Sequence, residues 1–74
     1  ISYHLKTATT AKLTIYNMLG QRVRELANSH QPAGRYSVSW NGLDDNGRQM
    51  SSGVYYYRLE TNSQKLTKKM LLMK

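Results

Sequence analysis

The sequence predicts an all-β fold, a small antiparallel β-sandwich of six to seven strands. Three observations carry that expectation. Apolar residues recur with a period of two and nowhere sustain a helical period; turn-forming Gly, Pro, Asn and Asp residues punctuate the chain at intervals of roughly 8–12 residues; and 74 residues suffice for one core only.

The elements follow in order. In "ISYHLK" the inward set is Ile1, Tyr3 and Leu5. In "AKLTIYN" it is Leu13 and Ile15, with Lys12, Thr14 and Tyr16 on the opposite, wet face. "MLGQRVREL" places Gly20 in a turn and offers Val23 and Leu26 next, an odd spacing that puts a bulge or strand end near Arg24. "HQPAGRYSVSWNG" turns at Pro32 and Gly34 and then alternates, Tyr36, Val38 and Trp40 inward against Arg35, Ser37 and Ser39.

"NGLDDNGRQMSSG" is a polar connection with tight turns at Asn41-Gly42 and Asn46-Gly47. "VYYYRLE" puts Tyr55, Tyr57 and Leu59 on one face and Val54, Tyr56 and Arg58 on the other. The last strand places Leu66, Met70 and Leu72 against Lys69, Leu71 and Met73, so both of its faces are partly apolar. Antiparallel sandwiches of this size are commonly Greek-key and immunoglobulin-like, with a small barrel as the alternative. No repeat, linker or low-complexity tract divides the chain, so residues 1–74 read as a single domain.

Composition narrows function more by exclusion than by assignment. A chain of this length buries only roughly 60% of the surface exposed when unfolded, too little for an elaborate catalytic cleft. There is no Cys, hence no disulfide framework and no thiolate metal site. No apolar stretch approaches the roughly 20 residues of a spanning helix, so no membrane insertion is expected. The net charge of +7 raises nucleic acid as a partner. However, Lys6, Lys12, Arg22, Arg24, Arg35, Arg48 and Arg58 are scattered along the segments, and only Lys65, Lys68, Lys69 and Lys74 gather. Solvated strand faces and lysine-protected edges account for that distribution, and no nucleic-acid partner is expected.

Chemistry-bearing constellations are equally sparse. His4 and His30 have no ligand-spaced partner, and the four carboxylates form no acid/base pair, so neither catalysis nor a cofactor is expected. "LDDNGR" lacks the alternating ligands and distal Glu of a calcium loop, and its Asp45 and Asn46 are expected to hydrogen-bond their own backbone in a turn. Tyr16 and Tyr56 are the outward aromatics, and a sugar-stacking role competes with ordinary sheet-face contacts. The final strand is the feature that folding alone does not exhaust. "KLTKKMLLMK" can fill the core and discourage edge pairing, and it also has the form that β-augmentation by a receptor uses.

"LTIYNMLGQRVREL", "QPAGRYSVSWNG", "DDNGRQMSSGVYYYRLE" and "KLTKKMLLMK", in that order, resemble the C-terminal sorting domain (type A) of proteins exported by the type IX secretion system. The related immunoglobulin-like domain of flagellar hook-capping proteins shares the patterns "IYN..G..V" and "W.G.D..G....SG.Y.Y" within them, and the closing Lys-Lys-Met-Leu-Leu-Met-Lys favours the sorting domain. The resemblance implies an immunoglobulin-like sandwich at the end of a larger secreted protein. Its recognition residues would be Gly34 and Tyr36, Gly53 and Tyr55, and Lys69, Met70, Leu71, Leu72 and Lys74 in the last strand. It further implies a covalently attached upstream cargo domain, passage through the periplasm to the cell surface or medium, and the outer-membrane type IX translocon and a surface sorting peptidase as partners. Ile1 is not an initiator Met and falls within a strand pattern, which is read as the start of a trimmed or processed piece. A structural or adhesive immunoglobulin-like module and an accessory carbohydrate-binding module of a secreted hydrolase remain the alternatives.

Overall fold

The computed structural model describes residues 1–73. Six strands make two antiparallel sheets: β1 (Ser2–Leu5), β2 (Thr9–Tyr16), β3 (Arg22–Gln31), β4 (Gly34–Ser37), β5 (Gly53–Glu60) and β6 (Lys65–Leu72). One sheet has two strands, β1-β4, and the other four, in the order β3-β2-β5-β6. The predicted sandwich is therefore present with six strands.

Alternation places the core as expected. Ala11, Leu13 and Ile15 on β2 are fully buried, and opposite them across the ladders lie Ala27 of β3 and Leu59 and Tyr57 of β5. Two clusters result. Leu5, Ala11, Leu13 and Leu59 form one, with Tyr3, Tyr36 and Val38 packed against it. Ile15, Val23 and Tyr55 form the other, with Trp40, Met50, Met70 and Leu72 around it. Thr14 departs from the wet face assigned to it. It is 1% exposed, because β2 is an interior strand and its neighbours on that face are Glu25 and Arg58. Among the described residues its hydroxyl has no hydrogen-bond partner.

Two strand boundaries differ from the sequence reading. β3 does not end near Arg24; it runs to Gln31, and its register against β2 slips at two places, leaving Val23 and Leu26 as the extra residues on either side of Arg24. Two bulges therefore explain the odd Val23–Leu26 spacing, each turning an apolar side chain to the core. Conversely, β4 stops at Ser37 although burial alternates on through Val38 and Trp40. Among the described residues its partner is β1, and Val38 exchanges backbone hydrogen bonds with Ile1 at 2.7 and 2.8 Å.

The segment from Asn41 to Ser52 is ordered by its own polar groups. Leu43 bridges Gln49, and the Asp44 carboxylate accepts the backbone N–H of Asn46 at 2.9 Å and of Arg48 at 2.8 Å. Asp44, rather than Asp45, is therefore the carboxylate that closes this turn. Asp45 points out of the turn to β3: its Oδ1 accepts the backbone N–H of Glu25 at 3.1 Å, and its Oδ2 accepts the Arg22 Nε–H at 3.1 Å. Tying a loop carboxylate to an edge strand in this way is a contact that local spacing does not announce.

Candidate functional site

The recognition residues read from the sequence fall into three structural groups. Gly34 and Gly53 open β4 and β5 with φ of 152° and 154°, a region that residues with a Cβ rarely enter. An added Cβ would meet no atom within 4 Å at either position, so the demand for Gly is conformational. Two residues on, Tyr36 donates its hydroxyl to the Pro32 carbonyl, and Tyr55 donates its own to the Ser51 carbonyl at 2.7 Å. The two Gly-x-Tyr segments are thus the same device used twice, a tyrosine reaching back four residues to lock the chain's entry into a strand. Each ring also has an aromatic neighbour: Tyr36 stacks on Tyr3 at 5.3 Å between centroids, and Tyr55 meets Trp40 edge-on at 5.1 Å. Gly34, Tyr36, Gly53 and Tyr55 consequently have a folding role.

Met70 and Leu72 form the second group. They are half-buried on the inner face of β6, packed against the cluster of Ile15, Val23 and Tyr55. Lys69 and Leu71 form the third group, on the outer face of the same strand; Leu71 is 64% exposed and Met73, just beyond the strand, 81%. Lys74 lies outside the described residues. Among the described residues β6 pairs with β5 alone, from Lys65 opposite Glu60 to Leu72 opposite Gly53, so its other edge is free along eight residues. Leu66 on its inner face is itself 46% exposed. The closing strand is thus held to the sheet on one side and accessible on the other, with lysines and large apolar side chains on both of its faces.

The outer face beside it carries the aromatics that were expected to point outward. Tyr16 and Tyr56 are paired neighbours on β2 and β5, both half-buried, and the Arg58 guanidinium sits 5.0 Å above the Tyr16 ring. Trp40 faces the core and donates its indole N–H to the Leu43 carbonyl at 2.9 Å. Among the described residues no three His, Cys, Asp or Glu side chains gather as metal ligands, and no helix is long and apolar enough to cross a membrane.

Electrostatics single out Asp45. The Glu25 backbone N–H donated to its carboxylate, together with the hydrogen bond and charge of Arg22 and the charge of Arg24, holds its pKa below the usual carboxylate value despite the opposing effect of desolvation. A carboxyl depressed by folding contributes stability that is complete above its unfolded pKa and is lost as pH falls through the folded one. Asp45→Asn is therefore expected to make stability fall less steeply on acidification below about pH 4. Denaturation midpoints measured across that range for both proteins check this, and identical acid limbs would exclude the contribution.

An open two-sheet antiparallel sandwich, closed by tyrosine corners and bearing one accessible terminal strand, is an immunoglobulin-like domain. The family model described as the FlgD Ig-like domain matches residues 2–65, and the chain belongs to that family. No curated protein matches the sequence, and no solved structure does. The matched span ends on Lys65, the first residue of β6.

Proposed function

We propose that this domain is a non-catalytic C-terminal secretion signal, which directs a covalently attached upstream cargo across the outer membrane by the type IX secretion system, with β6 as the part that is read. The translocon and a surface sorting peptidase are its proposed partners, and the cell surface or medium, reached through the periplasm, is its destination. The observation that supports the reading is the character of β6. An edge strand offering a free row of backbone donors and acceptors beside Lys69 and exposed Leu71 and Met73 is suited to recognition by strand addition.

Fusing residues 1–74 to a periplasmic reporter in a bacterium with type IX secretion tests this directly. Surface and medium reporter should be lost, at least ten-fold, on deleting residues 69–74 or on combining Lys69→Glu with Leu71→Ser. The double substitution changes only exposed outer-face groups and leaves Met70 and Leu72 in the core, so the comparison separates recognition from folding. Unchanged export of both variants would reject the reading. It would favour instead a structural immunoglobulin-like module of the flagellar hook-capping type, the reading to which the family match itself points.

A further inference from the structure

The two sheets are unequal, and the mismatch leaves a groove. Three residues connect β1 to β2 and two connect β3 to β4. Such links span little more than the roughly 10 Å between packed sheets, so β1 lies over β2 and β4 over β3. The two-stranded sheet covers Leu59 of β5 through Leu5, but leaves the inner face of β6 exposed at Leu66 and Lys68. A groove of about 870 Å³ opens there, lined on one side by Ser2 to Thr7 and on the other by Tyr57, Leu59, Leu66 and Lys68.

The free edge of β1 faces this groove in a bonding state. Ile1 and Val38 exchange both backbone hydrogen bonds, so by the alternation of an antiparallel ladder Tyr3 pairs likewise with Tyr36. The backbone groups of Ser2 and His4 accordingly point away from β4, out of the sheet edge. A strand laid beside β1 would bond to them. Its inward side chains would meet Leu66 and Tyr57, whereas its outward ones would join the face carrying His4, Lys6 and Arg35. Among the described residues no carboxylate lines the groove, and Lys6, Arg35 and Lys68 do.

We propose that this groove seats an extended peptide segment of another polypeptide, with apolar and acidic side chains in alternation, added as a third strand beside β1. The proposal concerns the edge of β1 and is independent of any sorting role of β6. Charge argues against a second copy as the occupant. Each copy carries +7, and its four carboxylates are Glu25, Asp44, Asp45 and Glu60. Of these, Asp44 closes its own turn, Asp45 is bonded to Arg22, and Glu25 and Glu60 lie within 4 Å of Arg22 and Arg58.

The test is amide NMR of the 74-residue chain titrated with a capped peptide alternating Val and Glu, beside an otherwise identical Val/Lys peptide. The Val/Glu peptide should shift the Ser2 and His4 amides and slow their exchange at least ten-fold. Lys6→Glu combined with Arg35→Glu should weaken binding at least ten-fold, and so should Lys68→Glu. His4→Pro removes an outward N–H without removing a β1–β4 bond, and should abolish binding while the amide spectrum stays folded. Equal affinity for the Val/Lys peptide, shifts confined to β6, or failure of the Val/Glu peptide to bind would each overturn the assignment. Protection of Ser2 and His4 that grows with protein concentration alone would give the groove to a second copy. Protection in a longer parent chain without peptide would give it to a strand in cis.

Discussion

Leu13→Ala is expected to destabilise the domain by about 3–5 kcal/mol, the range for a large-to-small change at a site that cannot collapse. Leu13 is fully buried on an interior strand, flanked by Ala27 on β3 and Leu59 on β5. These neighbours are fixed by backbone ladders on both sides, so the cavity persists. A chain of 74 residues has a stability on the order of 5 kcal/mol, hence the variant should be largely unfolded under mild conditions. Leu66→Ala removes the same atoms from a residue 46% exposed on the edge strand, and should cost under about 1 kcal/mol. Urea denaturation followed by the fluorescence of Trp40, the single tryptophan, measures both. Comparable losses would contradict the assignment of β2 to the core and of β6 to an accessible edge.

Tyr55→Ala should be of similar severity, about 3–5 kcal/mol, and here the conservative variant isolates the cause. Tyr55 is buried, touches Trp40 edge-on and donates its hydroxyl to the Ser51 carbonyl. Tyr55→Phe keeps the ring and loses only that hydrogen bond, for about 0.5–1.5 kcal/mol. Tyr36→Phe should cost less again, because its bond to the Pro32 carbonyl is exposed to water that can replace it. A Tyr55→Phe loss as large as that of Tyr55→Ala would place the energy in the corner hydrogen bond instead of in packing. Near-ultraviolet circular dichroism reports the Trp40 environment for the same variants.

Much of the fold was legible in local pattern. Strict alternation in "AKLTIYN" and "VYYYRLE" identified Leu13, Ile15, Tyr55 and Leu59 as inward, because a pleated strand next to one core has no other way to bury apolar area. The irregular step from Val23 to Leu26 left a bulge or a strand end open, and pairing with β2 decided for bulges and an extension to Gln31, which did not show because "ANSHQ" has no apolar period. The end of β4 at Ser37 was hidden for the opposite reason: its alternation continues through Trp40, whereas the ladder with β1 is formed from Ser2–Ser37 to Leu5–Gly34. Among the candidate site residues, Lys69 and Leu71 lie on the accessible closing strand as read, while the two Gly-x-Tyr pairs were legible as motifs without their role as folding corners.

What the sequence by itself determined is what depends on near neighbours: the all-β class, the inward set of each strand, the turns at Gly20 and Asn46-Gly47, and the mixed basic and apolar character of the last strand. These follow from side-chain period and backbone preference, which act over a few residues. Only the tertiary structure decided which strands share a sheet, that Asp45 reaches Glu25 and Arg22, that Thr14 is buried, and that the two-stranded sheet leaves β1 with a free edge above Leu66 and Lys68. Each of those depends on segments far apart in the chain meeting in one register. Two chains with the same local alternation can pair their strands differently, and the lowest free energy among those pairings is a property of the whole core.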